Sequence, residues 1–168
     1  MGSTNKILIA IEDSEASMKA VAYVAEMVGG RESIHICLFH ALPPIPPRLL
    51  EFGGTEDPQK EQVLSTEVKS AQTEWVEKAQ DAVQPLITRA RTILQDHGVS
   101  QDQISTHFSH TIHKLDIVQE ILNGAKQSHC ETVVVGRHRL PWVQDLFYNH
   151  TGEKLVEKGH EFSIWVVG

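Results

Sequence analysis

A chain with several short apolar runs that do not alternate with polar residues, each separated from the next by a stretch of helical period, has few folds open to it. Lys6 to Ile11 reads KILIAI, Ile34 to Ala41 reads IHICLFHA, Thr132 to Val135 is a bare β-branched run, and Phe162 to Val167 reads FSIWVV. Such runs suit strands covered on both faces, because a strand with one wet face would alternate polar and apolar side chains. Between the first two runs, Ser14 offers a hydroxyl as N-cap. Met18, Val21, Ala22, Ala25 and Val28 then lie along one helical stripe before Gly29-Gly30. A strand, a helical crossover and a second strand imply parallel pairing in one sheet.

The remaining chain repeats that alternation. Ala41 to Pro58 holds five prolines and two adjacent glycines without a period, which reads as a flap or interaction loop. From Lys60 to His97 a helical pattern keeps Val68, Ala71, Trp75, Ala79, Ala82, Leu86, Ala90 and Ile93 in phase across Pro85. The unbroken phase argues for one long helix kinked at Pro85. The alternative is two helices, with Pro85 in the first turn of the second. Ile104 to Phe108 is a third strand, and Leu115, Val118, Ile121, Leu122 and Ala125 mark a helix. Thr132 to Val135 is the fourth strand, Thr151 caps a helix over Gly152 to Lys158, and Phe162 to Val167 is the fifth strand. The expected fold is an α/β sandwich, an open five-stranded parallel sheet with helices on both faces. At 168 residues it is expected to be a single domain over residues 1–168.

Charge and composition narrow the partners. A net charge of -7 with no polybasic run argues against nucleic acid and against an anionic membrane surface. No apolar run approaches the ~18 residues of a membrane span, and no signal-peptide core opens the sequence, so the cytoplasm is the expected location. Cys37 and Cys130 each sit in or beside a strand run and form no C-x-x-C pair, so they read as buried thiols in a reducing compartment.

Ligands of open parallel sheets bind outside the carboxyl ends of the strands, where the strand order reverses. The candidate site is therefore Ala10, Ile11, Glu12 and Asp13 after the first strand, His40 and Ala41 after the second, and Gly136, Arg137, His138 and Arg139 after the fourth. A strand that runs into a glycine and then a helix amino terminus presents N–H groups and the helix dipole to an anion. No phosphate-binding G-x-x-x-x-G-K-[ST] loop, no G-x-G-x-x-G and no G-x-S-x-G elbow appears. Nor does the Ser-Gly-Gly-x-Asp-Ser of pyrophosphatase-type ligases or the His-x-Gly-His of nucleotidyl transferases. With no general base or metal carboxylate pair assigned, the chain is expected not to be an enzyme, slow ATPase or phosphotransfer activity being the residual alternative. His107, His110 and His113 fall at a strand end and in its loop, so a metal site is not expected.

With these segments in place the sequence resembles the universal stress protein family over nearly its whole length. The resemblance is carried by the ILIAI strand and polar turn before Ser14 and its Ala-rich helix, by LFHA at Leu38 to Ala41, and by ETVVVG followed by GEKLVEKG. It implies a five-stranded parallel sheet, a homodimer paired through the last strand and, in one subgroup, an ATP site. That subgroup carries Gly-x-x-Gly, nine residues, then Gly-Ser or Gly-Thr. Here the pattern begins at Gly136, but its second glycine is Arg139, its third is Asn149 and its hydroxyl residue is His150. A long side chain at Arg139 obstructs the approach of bare backbone to a phosphate, and Asn149 accepts positive φ less readily than glycine.

The resemblance thus implies a stress-response domain that acts by binding or signalling, its nucleotide site altered or lost. An unidentified protein partner would be met through the Pro-rich flap and Arg137 to Trp142. The alternative is a sensor of ATP, AMP or another anion, in which Arg137, His138 and Arg139 replace the motif glycines and Thr151 presents its hydroxyl. No cofactor is certain, ATP or a related nucleotide being the one implied.

Overall fold

The computed structural model describes residues 5–50, 56–109, 116–137 and 151–168. Two compact units emerge among these residues, one within Met1–Ala41, Pro85–Ser109 and Asp116–Gly168, the other within Leu42–Gln84.

The larger unit holds the sheet. Strands β1 (Asn5–Ala10), β2 (Ile34–Ala41), β3 (Ile104–Ser109), β4 (Thr132–Gly136) and β5 (Ser163–Val167) pair in parallel in the order β3-β2-β1-β4-β5. The expected five-stranded parallel sheet is present, each strand beginning or ending within about two residues of its apolar run. Period-two alternation sends each strand's side chains to both faces. Ile7, Ile9, Ile36, Leu38 and Val134 join one core with helices α1 (Glu15–Val28) and α3 (Gln84–Asp96). Leu8, Cys37, Phe39, Val133 and Val135 join the other with α4 (Ile117–Gln127) and α5 (Thr151–Lys158). The apolar runs lack alternation because both faces of the sheet are covered.

Ser14 caps α1 as expected, its hydroxyl accepting from the Ser17 N–H at 3.2 Å. Helix α4 ends in a Schellman turn: the Cys130 N–H donates to the Ala125 carbonyl at 2.9 Å and the His129 N–H to that of Lys126 at 3.1 Å. The left-handed position belongs to His129, with φ of 54°, where glycine would avoid a cost of roughly 1–2 kcal/mol.

The smaller unit contains the helical turn Pro47–Leu49 and α2 (Pro58–Ala82), with Asp57 as N-cap and Pro58 in the first turn. The Gln72 side-chain amide donates to the Leu49 carbonyl at 2.6 Å. The continuous kinked helix over Lys60 to His97 is not what forms. Helix α2 stops at Ala82, Val83 leaves the helical path with φ of -98° and ψ of 0°, and α3 starts afresh at Gln84. Pro85 lacks the N–H that would bond to Asp81 and its ring crowds that carbonyl, so it is accommodated in a first turn, where no such bond is required.

Candidate functional site

Strands β1, β2 and β3 build the sheet in one direction and β4 and β5 in the other, so the order reverses between β1 and β4. Parallel pairing of Ile7 to Ile9 with Thr132 to Val134 places the carboxyl ends of these two strands side by side. Ile11 to Asp13 therefore lie beside Gly136 and Arg137, and the pairing of Ala10 with Phe39 sets His40 and Ala41 on the other flank. These parts of the candidate site share one edge of the sheet. His138, Arg139, Asn149 and His150 lie outside the described residues, as do Trp142, His110 and His113.

The edge is closely braced. The Ile11 N–H donates to the Phe39 carbonyl at 2.8 Å, and the His40 imidazole donates from Nδ1 to the Ile11 carbonyl at 2.8 Å. Because a carbonyl only accepts, Nδ1 carries the proton of this bond. The Glu12 N–H donates to Ser17 Oγ at 3.0 Å, and the Ser14 N–H to the Glu12 carbonyl at 2.8 Å. Glu12 is half-buried, while Asp13 and Arg137 are exposed.

Gly136 serves a packing need. Its φ is not positive, yet a Cβ at this position would lie 2.9 Å from the Ser17 nitrogen and press on the Ala16 peptide. The end of β4 runs against the first turn of α1 at a separation that only glycine allows. One residue on, the Arg137 N–H donates to the Val167 carbonyl at 2.6 Å, and its side chain runs beside Gly168 at the end of β5. The cationic side chain thus leans toward β5. The helix expected over Gly152 to Lys158 forms as α5, with Thr151 as its first residue. The next residue, Gly152, is confined by Val166, whose methyl carbons would lie 3.1 and 3.2 Å from an added Cβ.

Ser17 was not singled out from the sequence, although it holds the turn after β1. It is 2% exposed and braces Glu12 from inside the helix. Its signal was a small hydroxyl residue beside Met18, on the buried stripe of an otherwise apolar helix.

Among the described residues no group of three or more His, Cys, Asp or Glu side chains is placed to hold a metal ion. The His107 ring stacks on Phe39 at 5.9 Å. No described helix is long and apolar enough to cross a membrane. Cys37 and Cys130 are free and buried.

The parallel sheet, its reversal between β1 and β4 and the loops gathered at that edge define an open, doubly wound α/β domain. A family model described as the universal stress protein family matches residues 3–167, and the chain belongs to that family. No curated protein matches the sequence. Among solved structures, UspA from Lactobacillus plantarum is 16% identical with a TM-score of 0.55, the match covering 100% of both chains. A universal stress protein from Archaeoglobus fulgidus in complex with dAMP is 12% identical with a TM-score of 0.50, again over 100% of both chains. A universal stress protein in complex with cAMP is 10% identical with a TM-score of 0.61, covering 98% of this chain and 97% of that one. At these identities the structural likeness speaks to the fold.

Proposed function

We propose that this chain is a single-domain, non-catalytic binding module of the stress response, acting in the cytoplasm, whose nucleotide site is altered or lost. The observation that carries the reading is the internal engagement of the switch-point edge. The Glu12 and Arg137 N–H groups are bonded within the protein, and the space over Gly136 is filled by α1. The departures at Arg139, Asn149 and His150 point the same way, since they remove the small residues on which a backbone phosphate cradle depends. Isothermal titration of the full chain with ATP and Mg²⁺ is expected to give no saturable heat. A micromolar isotherm that disappears in Arg139→Glu would overturn the reading.

The dAMP and cAMP complexes of two family members favour a second reading, a nucleotide or anion sensor that uses Arg137, His138 and Arg139. It is tested by thermal shift with ATP, AMP, cAMP, dAMP and simple phosphate esters, because a ligand that binds only the native state raises the melting temperature by mass action. A rise that saturates with concentration supports the sensor, and a flat panel at millimolar ligand removes it.

The partner proposed with the first reading is a second copy of the chain, paired along β5. That strand ends the sheet with β4 as its neighbour, and an open strand edge calls for pairing or protection. Large apolar side chains stand exposed on the elements around it: Tyr23 at 44%, Met27 at 50%, Val156 at 56% and Val166 at 36%. Tyr23 meets Trp165 of β5 edge to face at 6.4 Å. Light scattering is expected to give twice the 18.8 kDa chain mass. A monomer at high concentration would contradict the pairing.

A further inference from the structure

At the amino ends of the strands, away from the switch point, a pocket of about 360 Å³ opens over the α4 face of the sheet. Lys6, His35, Cys37, Ser105, His107 and Ser128 contribute to its lining. Cys37 is 2% exposed and Cys130, just ahead of β4, is 5% exposed, yet only Cys37 is part of the pocket wall. Both thiols belong to the same buried core on the α4 face, where each influences the ionisation of the other. Both gather on Ser128: Cys37 Sγ lies 3.6 Å from its hydroxyl and Cys130 Sγ 4.0 Å from its carbonyl. Lys6 Nζ donates to that same carbonyl at 3.4 Å.

Access to the pocket divides the thiols into two roles, since Cys37 lines it and Cys130 lies in the core beside it. The Cys37 thiol is held well below its ordinary pKa, first by the hydrogen bond from Cys130, then by the hydroxyls of Ser128 and Ser105 and the charge of His107, against the opposing effect of burial. Cys130 is pushed up, by donating to Cys37 and by burial. A thiol in a pocket wall with a second buried thiol beside it is the arrangement of an attacking and a resolving cysteine.

The geometry points to a dithiol site at which a small hydroperoxide entering the pocket oxidises Cys37, after which Cys130 closes an intramolecular disulfide. In the first step the Cys37 thiolate attacks the peroxide: an S–O bond forms, the O–O bond breaks, and the departing oxygen takes up a proton to leave as water or alcohol. The product is a sulfenic acid. In the second step the Cys130 sulfur attacks the Cys37 sulfur: the S–S bond forms, the S–O bond breaks, and the Cys130 proton leaves with the hydroxide as water. The two thiols together lose two electrons and the peroxide gains them. Reduction by a small dithiol reverses the change.

The test uses the reduced full chain with one equivalent of hydrogen peroxide, followed by intact mass and alkylation of the unfolded protein. The native chain is expected to lose two hydrogen atoms in mass, to resist alkylation at both cysteines, and to recover both thiols with dithiothreitol. Cys130→Ser should stop at a sulfenic acid on Cys37 that dimedone traps, and Cys37→Ser should consume peroxide at least about tenfold more slowly. Cys37→Ala and Cys130→Ala, with folding followed by circular dichroism, keep the result readable if a serine is poorly tolerated. Equal peroxide consumption by the native chain and Cys37→Ser would overturn the proposal. So would disulfides formed only between chains, or a Cys37 sulfenic acid that persists in the native protein.

Discussion

Replacing Gly136 by alanine is expected to lower the unfolding free energy by about 3 kcal/mol, the upper end of the usual cost of overpacking. For a chain of this length that corresponds to a fall of roughly 6–12 °C in melting temperature. The added Cβ would meet backbone, the Ala16 carbonyl carbon at 2.5 Å and the Ser17 nitrogen at 2.9 Å, and backbone cannot rotate aside as a side-chain tip can. Nor can that turn shift cheaply. Ser14 caps it at Ser17, and the Ser17 hydroxyl accepts from the Glu12 N–H, so moving the first turn of α1 disturbs the cap and the loop after β1 together. Urea unfolding with the m-value compared between variants is the measurement. If Gly136 were needed only to admit a ligand phosphate, alanine would leave the unfolding midpoint in place and alter ligand binding alone. A midpoint shift worth less than about 0.5 kcal/mol, the range of ordinary surface substitutions, would therefore refute the packing role.

Truncation of Phe39 to alanine is expected to cost about 3–5 kcal/mol, the range for removing a buried aromatic ring. Phe39 is 1% exposed, stacks on His107 and lies over Gly124 of α4 so closely that a Cβ there would stand 2.6 and 2.7 Å from two of its ring carbons. The pair predicts a change of sign. With Phe39 in place, Gly124→Ala overpacks the helix–sheet contact by about 1–3 kcal/mol, which outweighs the gain of about 1 kcal/mol from replacing a helical glycine. In the Phe39→Ala background the same substitution enters the vacated space and should stabilise. A double-mutant cycle is expected to give a coupling of about 2 kcal/mol. Additive effects, with Gly124→Ala destabilising in both backgrounds, would show that ring and glycine do not share the space.

Much of the candidate site was legible because parallel pairing forces the carboxyl ends of strands together. Once the apolar runs marked β1, β2 and β4, Glu12, Asp13, His40, Ala41, Gly136 and Arg137 had to share one edge. What those groups do there was not legible. The His40 bond to the Ile11 carbonyl and the Arg137 bond to the Val167 carbonyl depend on the relative register and twist of neighbouring strands. Gly136 read as an invitation to an anion, because its sequence context is strand, glycine, loop and helix. Only the position of α1 reveals that the missing side chain makes room for Ala16 and Ser17. Helical phase was a poor guide at Pro85, since a stripe of three- and four-residue steps continues equally well through a kink or across a break. Likewise His129 carries no local mark of a left-handed residue, a conformation imposed where α4 must turn back to enter β4.

By itself, then, the sequence determined the order of the strands, the parallel sheet covered on both faces, the cap at Ser14 and the family. All of these follow from residues within a few positions of one another, where periodicity and capping chemistry act. The tertiary structure alone decided that Gly136 is a packing glycine, that the Arg137 side chain leans toward β5, and that Cys37 and Cys130 gather on Ser128 beside one pocket. Each of those depends on chain segments remote in sequence being pressed to contact distance by burial of the two cores, and no local pattern encodes that approach.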